Sequence, residues 1–148
     1  QGDFDPAAES AALVGDDTSI GAVVSFVGRC RGEEDGHAIS ALHLEHYAGM
    51  AEAEIARHVE EALVRWPLKG VTVIHRYGRI APGDNIVLVL TASSHRQAAF
   101  AAAEFLMDYL KTRAPFWKSD ERSGGGRNWI DAREADDDAA ARWDGAAK

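Results

Sequence analysis

The chain has 148 residues, of which 46% are hydrophobic and 27% charged, a balance typical of a soluble globular protein. Its formal net charge of −8 argues against nonspecific nucleic-acid binding, because the protein as a whole would repel a phosphate backbone. No apolar run reaches the ~20 residues of a membrane span, the first residues lack a signal-peptide pattern, and the single cysteine, Cys30, cannot form an internal disulfide. We therefore expect one compact cytoplasmic domain.

The first third of the chain predicts one helix and two strands. Residues 5–14 form a short helix that accepts Pro6 in its first turn. Residues 21–28 are a β-rich apolar run between glycines, and residues 39–46 alternate apolar with polar side chains, so both read as strands. A loop rich in glycine and acidic residues, 32–36, joins them. We expect the two strands to pair as a hairpin.

The middle of the chain predicts an amphipathic helix followed by a pair of strands. Residues 50–66 place apolar side chains at helical spacing, and Pro67 ends the pattern. Residues 71–77 and 85–91 are β-branched runs, and the sequence Ala-Pro-Gly-Asp between them at 81–84 is a turn. The apolar positions of the helix are Ile55, Val59, Ala62, Leu63 and Trp66.

The last third predicts another helix and two short strands. The helix covers 94–111, where Ser94 and Gln97 have the spacing of a capping box. Strands at 116–118 and 129–132 flank a triple-glycine loop, 123–126, and three aspartates open a short terminal helix at 136–138. Helices alternate with strand pairs, which indicates an α+β fold. The apolar face of the 94–111 helix, expected to lie on a sheet, is alanine-rich and includes Phe100, Phe105, Leu106 and Leu110.

A group of cations follows the 94–111 helix in the segment KTRAPFWK, residues 111–118. Lys111, Arg113 and Lys118 surround a rigid Pro-Phe-Trp sequence, an arrangement that suits an anionic substrate. The alternative is structural, because lysine and arginine after a helix also cap its carbonyl groups and complement its dipole.

Two further groups of basic residues could bind an anion. His95 and Arg96 follow Ser94 at a predicted helix start, where free N–H groups favour negative charge; alternatively, Ser94 is only a cap and Arg96 a solvated residue. Arg29 and Arg31 end the first strand on one face, and Cys30 between them is expected to pack in the core. The candidate anion site therefore comprises Arg31, His95, Arg96, Lys111, Arg113 and Lys118.

We expect neither a metal ion nor a cofactor. The six histidines have no zinc-site spacing, and His43 and His46 are three apart on a predicted strand and so face opposite sides. The glycine-rich fingerprints of P-loop and Rossmann nucleotide sites are also absent from the sequence.

Several separated motifs, in order from Gly21 to Trp143, resemble the family of molybdopterin synthase large subunits, the MoaE family. The resemblance implies an α/β-hammerhead fold with an additional antiparallel β subdomain, in which 1–20 is a variable N-terminal arm and 21–148 a single domain. The motifs are GAVVSFVGRCRG, LHLEHYAGMAE, RWPLKGVTVIHRYGRIAPGD, SSHR, MDYLKTRAPFWK and NWIDARE.

The resemblance implies a sulfurtransferase that needs no cofactor. Such an enzyme converts cyclic pyranopterin monophosphate (precursor Z) into molybdopterin by installing two dithiolene sulfurs. The sulfur comes from a separate ubiquitin-like small subunit that ends in a Gly-Gly thiocarboxylate. Family enzymes are heterotetramers, in which a dimer of large subunits carries a small subunit at each end.

The same resemblance assigns roles to individual residues. Lys111 and Lys118 match the catalytic lysines, while Arg31, His95 and Arg96 match substrate-binding positions. Arg133 matches an arginine that a neighbouring large subunit contributes, which implies a dimer. Two alternatives remain open: a non-catalytic scaffold that docks a ubiquitin-like sulfur carrier, and a stand-alone nucleotide-phosphate binder.

Overall fold

The computed structural model describes residues 3–34, 36–46, 49–112, 116–122 and 127–130, together with Ala141 and Trp143. The predicted 123–126 loop and 136–138 helix lie outside these residues. The described elements are α1 Pro6–Val14, β1 Ala22–Arg29, β2 Glu33–Glu34, β3 His37–His46, α2 Met50–Arg65, β4 Leu68–His75, β5 Gly78–Ile80, β6 Asn85–Ser93, α3 Arg96–Thr112, β7 Phe116–Arg122 and β8 Arg127–Ile130. The architecture is α+β, as predicted.

The first sheet has three antiparallel strands in the order β1-β6-β4. Strand β6 lies in the centre, and its residues from Val87 to Ser93 are all buried, which explains its uninterrupted apolar sequence. Val89 pairs with Phe26 on one side and with Val73 on the other. The Ala-Pro-Gly-Asp turn precedes β6, as predicted, although the short strand β5 stands between that turn and β4.

The predicted hairpin between the strands at 21–28 and 39–46 is wrong. Strand β1 pairs with β6, whereas β3 belongs to the other sheet. The chain instead turns sharply at Gly36, whose φ of 78° suits glycine, and pairs Glu34 with His37 in a local β2–β3 hairpin. The predicted 32–36 loop therefore contains the short strand β2. Strand β1 pairs instead with the apolar strand β6, which lies about sixty residues later in the sequence.

The second sheet has the order β2-β3-β7-β8, and β5 also pairs with β3. Leu42 of β3 pairs with Ile80 of β5 and with Asp120 of β7. The strands predicted at 116–118 and 129–132 are present at 116–122 and 127–130, and they pair with each other. A small buried cluster, formed by Cys30, Leu44 and Ile80, lies within this half of the fold.

The main core lies between the first sheet and helices α2 and α3. Small residues on α3, such as Ala99 and Ala102, let the helix approach closely, and the Thr91 hydroxyl of β6 donates to the Ala99 carbonyl at 2.6 Å. Trp143 packs edge-on against Trp66 at 5.6 Å and donates from Nε1 to Asp108 Oδ2 at 2.7 Å. Trp143 thus packs against the main core.

Two apolar side chains predicted to lie on buried helix faces are exposed. Phe100 is 61% exposed, because the buried positions of α3 run through 98, 99, 102 and 103 and leave position 100 on the opposite side. Leu63 of α2 is exposed for the same reason, since Ala62 beside it is fully buried. No helix among the described residues is long and apolar enough to cross a membrane.

Helix α1 packs on the first sheet. Its N-cap, Asp5, accepts hydrogen bonds from the backbone N–H groups of Ala7 and Ala8, as expected for an aspartate at a helix start. Leu13 lies so close to Gly70 of β4 that a Cβ there would come within 2.7 Å of Leu13 Cδ1. The division of the chain at residue 20 stays a prediction.

Tyr109 of α3 supports a prediction about stability. Its side chain is 4% exposed, its ring stacks on His58 at 3.4 Å, and its hydroxyl has no hydrogen-bond partner among the residues that the structure describes. Burial raises the pKa of this phenol to about 12. Because an unsatisfied buried hydroxyl costs about 1–3 kcal/mol, Tyr109→Phe should raise the free energy of unfolding by about 1 kcal/mol in urea titrations.

The matched control is Tyr77→Phe, because Tyr77 is substantially exposed and water can hydrate its hydroxyl. This variant should change the free energy of unfolding by less than about 0.5 kcal/mol. A clear loss of stability in Tyr109→Phe would contradict the prediction, since it would show that the buried hydroxyl has a partner in solution.

Candidate functional site

One group of predicted site residues lies at the start of α3. His95 and Arg96 are exposed there, next to the first N–H groups of the helix. The junction is held in place from two sides: the Ser93 hydroxyl donates to the Pro67 carbonyl, and the Gly21 N–H donates to the Ser93 carbonyl, both at 2.9 Å. A helix N-terminus with an imidazole and a guanidinium beside it can accept an anion.

The second location is the end of β1, next to the turn that precedes β6. Cys30 donates its N–H to the Asp84 carbonyl at 2.8 Å and accepts from Gly83 N–H at 2.8 Å. Its thiol is buried, as predicted, and burial raises its pKa, so the reactive thiolate is disfavoured.

Arg29 and Arg31 do not act as a pair in this structure. The Arg29 guanidinium donates to the Gly83 carbonyl at 2.7 Å. Arg31 lies beyond the end of β1 and forms an ion pair with Glu34 at 2.7 Å, with 68% of the Arg31 side chain exposed. An anion that binds Arg31 would therefore compete with the Glu34 carboxylate.

The third location is the connection between α3 and β7. Lys111 is exposed in the last turn of α3. Lys118 is the third residue of β7, where its backbone pairs with Leu44 of β3 and Ile130 of β8. Arg113 and Arg133 lie outside the described residues.

The length of α3 separates two of these locations. Arg96 begins the helix and Lys111 lies one residue before its end, so 15 residues at about 1.5 Å each place them ~22 Å apart along the axis. Even with both side chains extended, one phosphate or thiocarboxylate group cannot contact both cations. Within a single chain, Arg96 and Lys111 therefore belong to separate groups of cations.

A charged cluster in the second sheet was not part of the predicted site. His43 Nε2 and Arg79 Nε both lie within hydrogen-bond distance of Glu121 Oε2, at 2.8 and 3.3 Å. These residues are far apart in the sequence, and only the pairing of β3 with β5 and β7 brings them together. The bonds from His43 and then Arg79 lower the pKa of the Glu121 carboxyl to about 2.

This shift predicts an acid dependence of stability. Because the Glu121 pKa is lower in the folded chain than its usual 4.5, its contribution is present above pH ~4.5 and lost as the pH falls toward 2. Glu121→Gln should therefore flatten the decrease in the urea unfolding midpoint over this range. The charge-matched control is Glu60→Gln, which changes an exposed residue of α2 and should leave the pH dependence of the midpoint unchanged. If the midpoint of Glu121→Gln fell with pH as steeply as that of the wild-type chain, the prediction would be contradicted.

The described part of the chain contains no group of three or more His, Cys, Asp or Glu side chains arranged to hold a metal ion. The basic side chains described above supply positive charge and proton donors. Such groups stabilise negative charge on a substrate and transfer protons to it.

Comparison with known proteins identifies the family. The family model described as "MoaE protein" matches residues 1–113. A "Molybdopterin synthase catalytic subunit" from Mesorhizobium japonicum is 63% identical over 142 residues, which are 95% of this chain and 88% of the relative.

Two solved structures share the fold. The molybdopterin biosynthesis MoaE protein from Burkholderia ambifaria superposes with a TM-score of 0.81 at 47% identity, over 97% of this chain and 94% of that one. Molybdopterin synthase from Staphylococcus aureus gives a TM-score of 0.73 at 31% identity, over 78% and 83% of the two chains. The chain therefore belongs to the MoaE family, as its motifs predicted, and has the fold of that family.

Proposed function

We propose that this chain is the catalytic subunit of a molybdopterin synthase, which converts cyclic pyranopterin monophosphate into molybdopterin. The observation that carries the proposal is the 63% identity to a molybdopterin synthase catalytic subunit over 95% of the chain. The exposed cations described above support it, because both the substrate phosphate and a thiocarboxylate sulfur donor are anions.

In this proposal, Lys111 and Lys118 are the catalytic residues. A thiocarboxylate sulfur attacks a carbon of the pterin side chain and displaces the oxygen bound to that carbon, so negative charge develops on the leaving oxygen as the new C–S bond forms. Water then hydrolyses the bond between the sulfur and the donor's acyl carbon, which leaves the sulfur on the substrate and a carboxylate on the donor. A lysine ammonium group stabilises that charge, and a neutral lysine can take up a proton when neighbouring cations or desolvation lower its pKa. Arg31, His95 and Arg96 would bind the phosphate end of the substrate.

We further propose that two copies of the chain build each site. Lys111 and Arg96 of one chain are too far apart along α3 to hold the same anionic group. A second copy could bring its α3 start, and Arg133, to the lysines of the first. The proposed assembly is a heterotetramer, in which a central dimer of this chain binds two ubiquitin-like small subunits with thiocarboxylated Gly-Gly ends.

The proposal includes a cytoplasmic location. The one cysteine of the chain is a buried free thiol, which is compatible with a reducing compartment. Cell fractionation followed by immunodetection tests this part of the proposal, and recovery of the protein from an oxidising compartment would contradict it.

The decisive experiment is a reconstituted assay with the purified chain, the thiocarboxylated small subunit and the pterin precursor. If the chain is catalytic, the donor should lose its sulfur and dithiolene product should form in a corresponding amount. Docking of the donor without product formation would instead support a non-catalytic scaffold. Thermal stabilisation by common nucleotides without any protein partner would favour the nucleotide-phosphate alternative.

The ion pair between Arg31 and Glu34 predicts a change in substrate binding. Because Glu34 competes with the substrate for the guanidinium, Glu34→Gln should lower KM for the pterin monophosphate. Because the Arg31 side chain is 68% exposed and Glu34 14%, solvent reaches the pair mainly from the Arg31 side; solvent-screened ion pairs are worth roughly 0.2–1 kcal/mol, so the decrease should be at most about fivefold. The control is Glu54→Gln, which removes a similar ion pair with Arg57 on α2; a higher KM in Glu34→Gln would contradict the prediction.

A further inference from the structure

The Glu121 carboxylate links three strands of the second sheet. It accepts hydrogen bonds from His43 of β3 and Arg79 of β5, and it belongs to β7 itself. Because an ionised carboxylate can only accept, the His43 Nε2 atom must carry the proton of its bond. Hydrogen bonds that involve charged groups are roughly twice as strong as neutral ones, so this contact can hold β7 against its neighbours.

The backbone of Glu121 is held as well. The register of β3 with β7 shifts between Ile39 and Ala41, which leaves Ser40 in a bulge. The Ser40 hydroxyl donates to the Glu121 carbonyl at 3.0 Å. Both the side chain and the main chain of Glu121 are therefore attached to the neighbouring strands at one point.

Lys118 stands three residues before Glu121 in the same strand. Between them, Ser119 is fully buried and pairs with His43. In a β-ladder, a slip of one residue moves every side chain to the opposite face of the sheet. Any interaction that holds Glu121 in register therefore also determines where the backbone of Lys118 lies.

We propose that Ser40, His43, Arg79 and Glu121, here named the β7 clasp, are positioning residues that hold Lys118 in place for sulfur transfer. The inference rests on the catalytic role of Lys118 in the proposed function. It extends that function, because none of the four residues was predicted to belong to the site and none needs to contact the substrate.

Because the β7 clasp lies outside the main core, its effect on the placement of Lys118 can be tested separately from its effect on global stability. The clasp side chains are only partly buried, since His43 is 19% exposed, Glu121 33% and Arg79 56%. Solvent screens such ion pairs, so their loss should remove only the acid-sensitive contribution to stability described above and leave the chain folded at neutral pH. The expected effect is local: β7 opens more often, and Lys118 spends less time in its productive position.

The test compares Glu121→Ala and Glu121→Gln with the control Glu54→Gln. Hydrogen exchange, measured by mass spectrometry, reports on the backbone amides of 116–122. Glu121→Ala should accelerate their exchange about tenfold, whereas Glu121→Gln, which keeps one acceptor oxygen, should have a smaller effect.

In the reconstituted assay, Glu121→Ala should lower kcat about tenfold. Its KM for the pterin monophosphate should stay within about twofold of the wild-type value, since only the placement of Lys118 changes. Glu54→Gln should leave both measurements unchanged.

The outcomes separate the two proposals. Unchanged exchange in Glu121→Ala would overturn the clasp, and faster exchange with an unchanged kcat would overturn its role in positioning Lys118. A fully active Lys118→Ala variant would instead overturn the proposed role of Lys118, while the exchange data would still report whether the clasp holds β7. Thermal unfolding of each variant verifies that the chain is folded, and a large loss of global stability would indicate a structural role instead.

Discussion

Lys111→Ala is expected to reduce the rate of molybdopterin formation by at least about 10²-fold in the reconstituted assay. Removal of a positioned proton donor or acceptor typically costs 10²–10⁴-fold, and loss of a cation beside developing negative charge adds to that cost. Because Lys111 is exposed at the end of α3, its truncation leaves the core intact. The folded state should therefore be unaffected, and the loss should appear in kcat.

Two further variants make this result specific. Lys69→Ala removes an exposed lysine of β4 and should keep wild-type activity. Lys111→Arg retains the positive charge but cannot release a proton near neutral pH. Activity in Lys111→Arg would indicate that the charge is sufficient, whereas inactivity would indicate proton transfer. Near-normal product formation by Lys111→Ala would contradict the assignment.

Gly21→Ala is expected to destabilise the fold by about 3 kcal/mol, because a Cβ at this position would overlap the Ser94 carbonyl oxygen. That oxygen belongs to the main chain, so no flexible side chain can move aside. The start of β1 or the junction before α3 must shift instead. Since His95 and Arg96 lie at that junction, the variant should also raise KM for the pterin monophosphate.

The matched control is Gly32→Ala, where the added methyl group would meet, within the described part of the chain, the Pro82 side chain at an ordinary 3.9 Å. This variant should change the free energy of unfolding by less than about 0.5 kcal/mol. Urea titrations of both variants measure the difference. Equal stability of the two would show that the close contact between Gly21 and Ser94 relaxes without cost.

The helices could be predicted closely because their apolar periodicity is a local property. The pattern from Met50 onward and the stop at Pro67 predicted α2 to within one residue of its observed end. Helix α3 was predicted almost as well. Periodicity did not reveal which side of each helix is deepest in the core, so Phe100 and Leu63 were expected on the wrong face.

Strand pairing was less predictable because it depends on partners that are distant in sequence. The first predicted strand was expected to pair with the next one, but β1 pairs with β6, about sixty residues later. Such long-range choices follow from how the apolar faces of the whole chain are buried together. A single sequence holds little local information about them.

For the candidate site, too, some features could be predicted from the sequence and others depended on the tertiary structure. Sequence by itself determined the α+β class, the positions of the helices, the family, and the identity of the anion-binding candidates, since all of these depend on residue type and local order. Only the tertiary structure decided that Arg96 and Lys111 stand at opposite ends of one helix and that His43, Arg79 and Glu121 meet across three strands. The physical reason is that helix length and strand register set distances between residues, and neither is visible in any one motif.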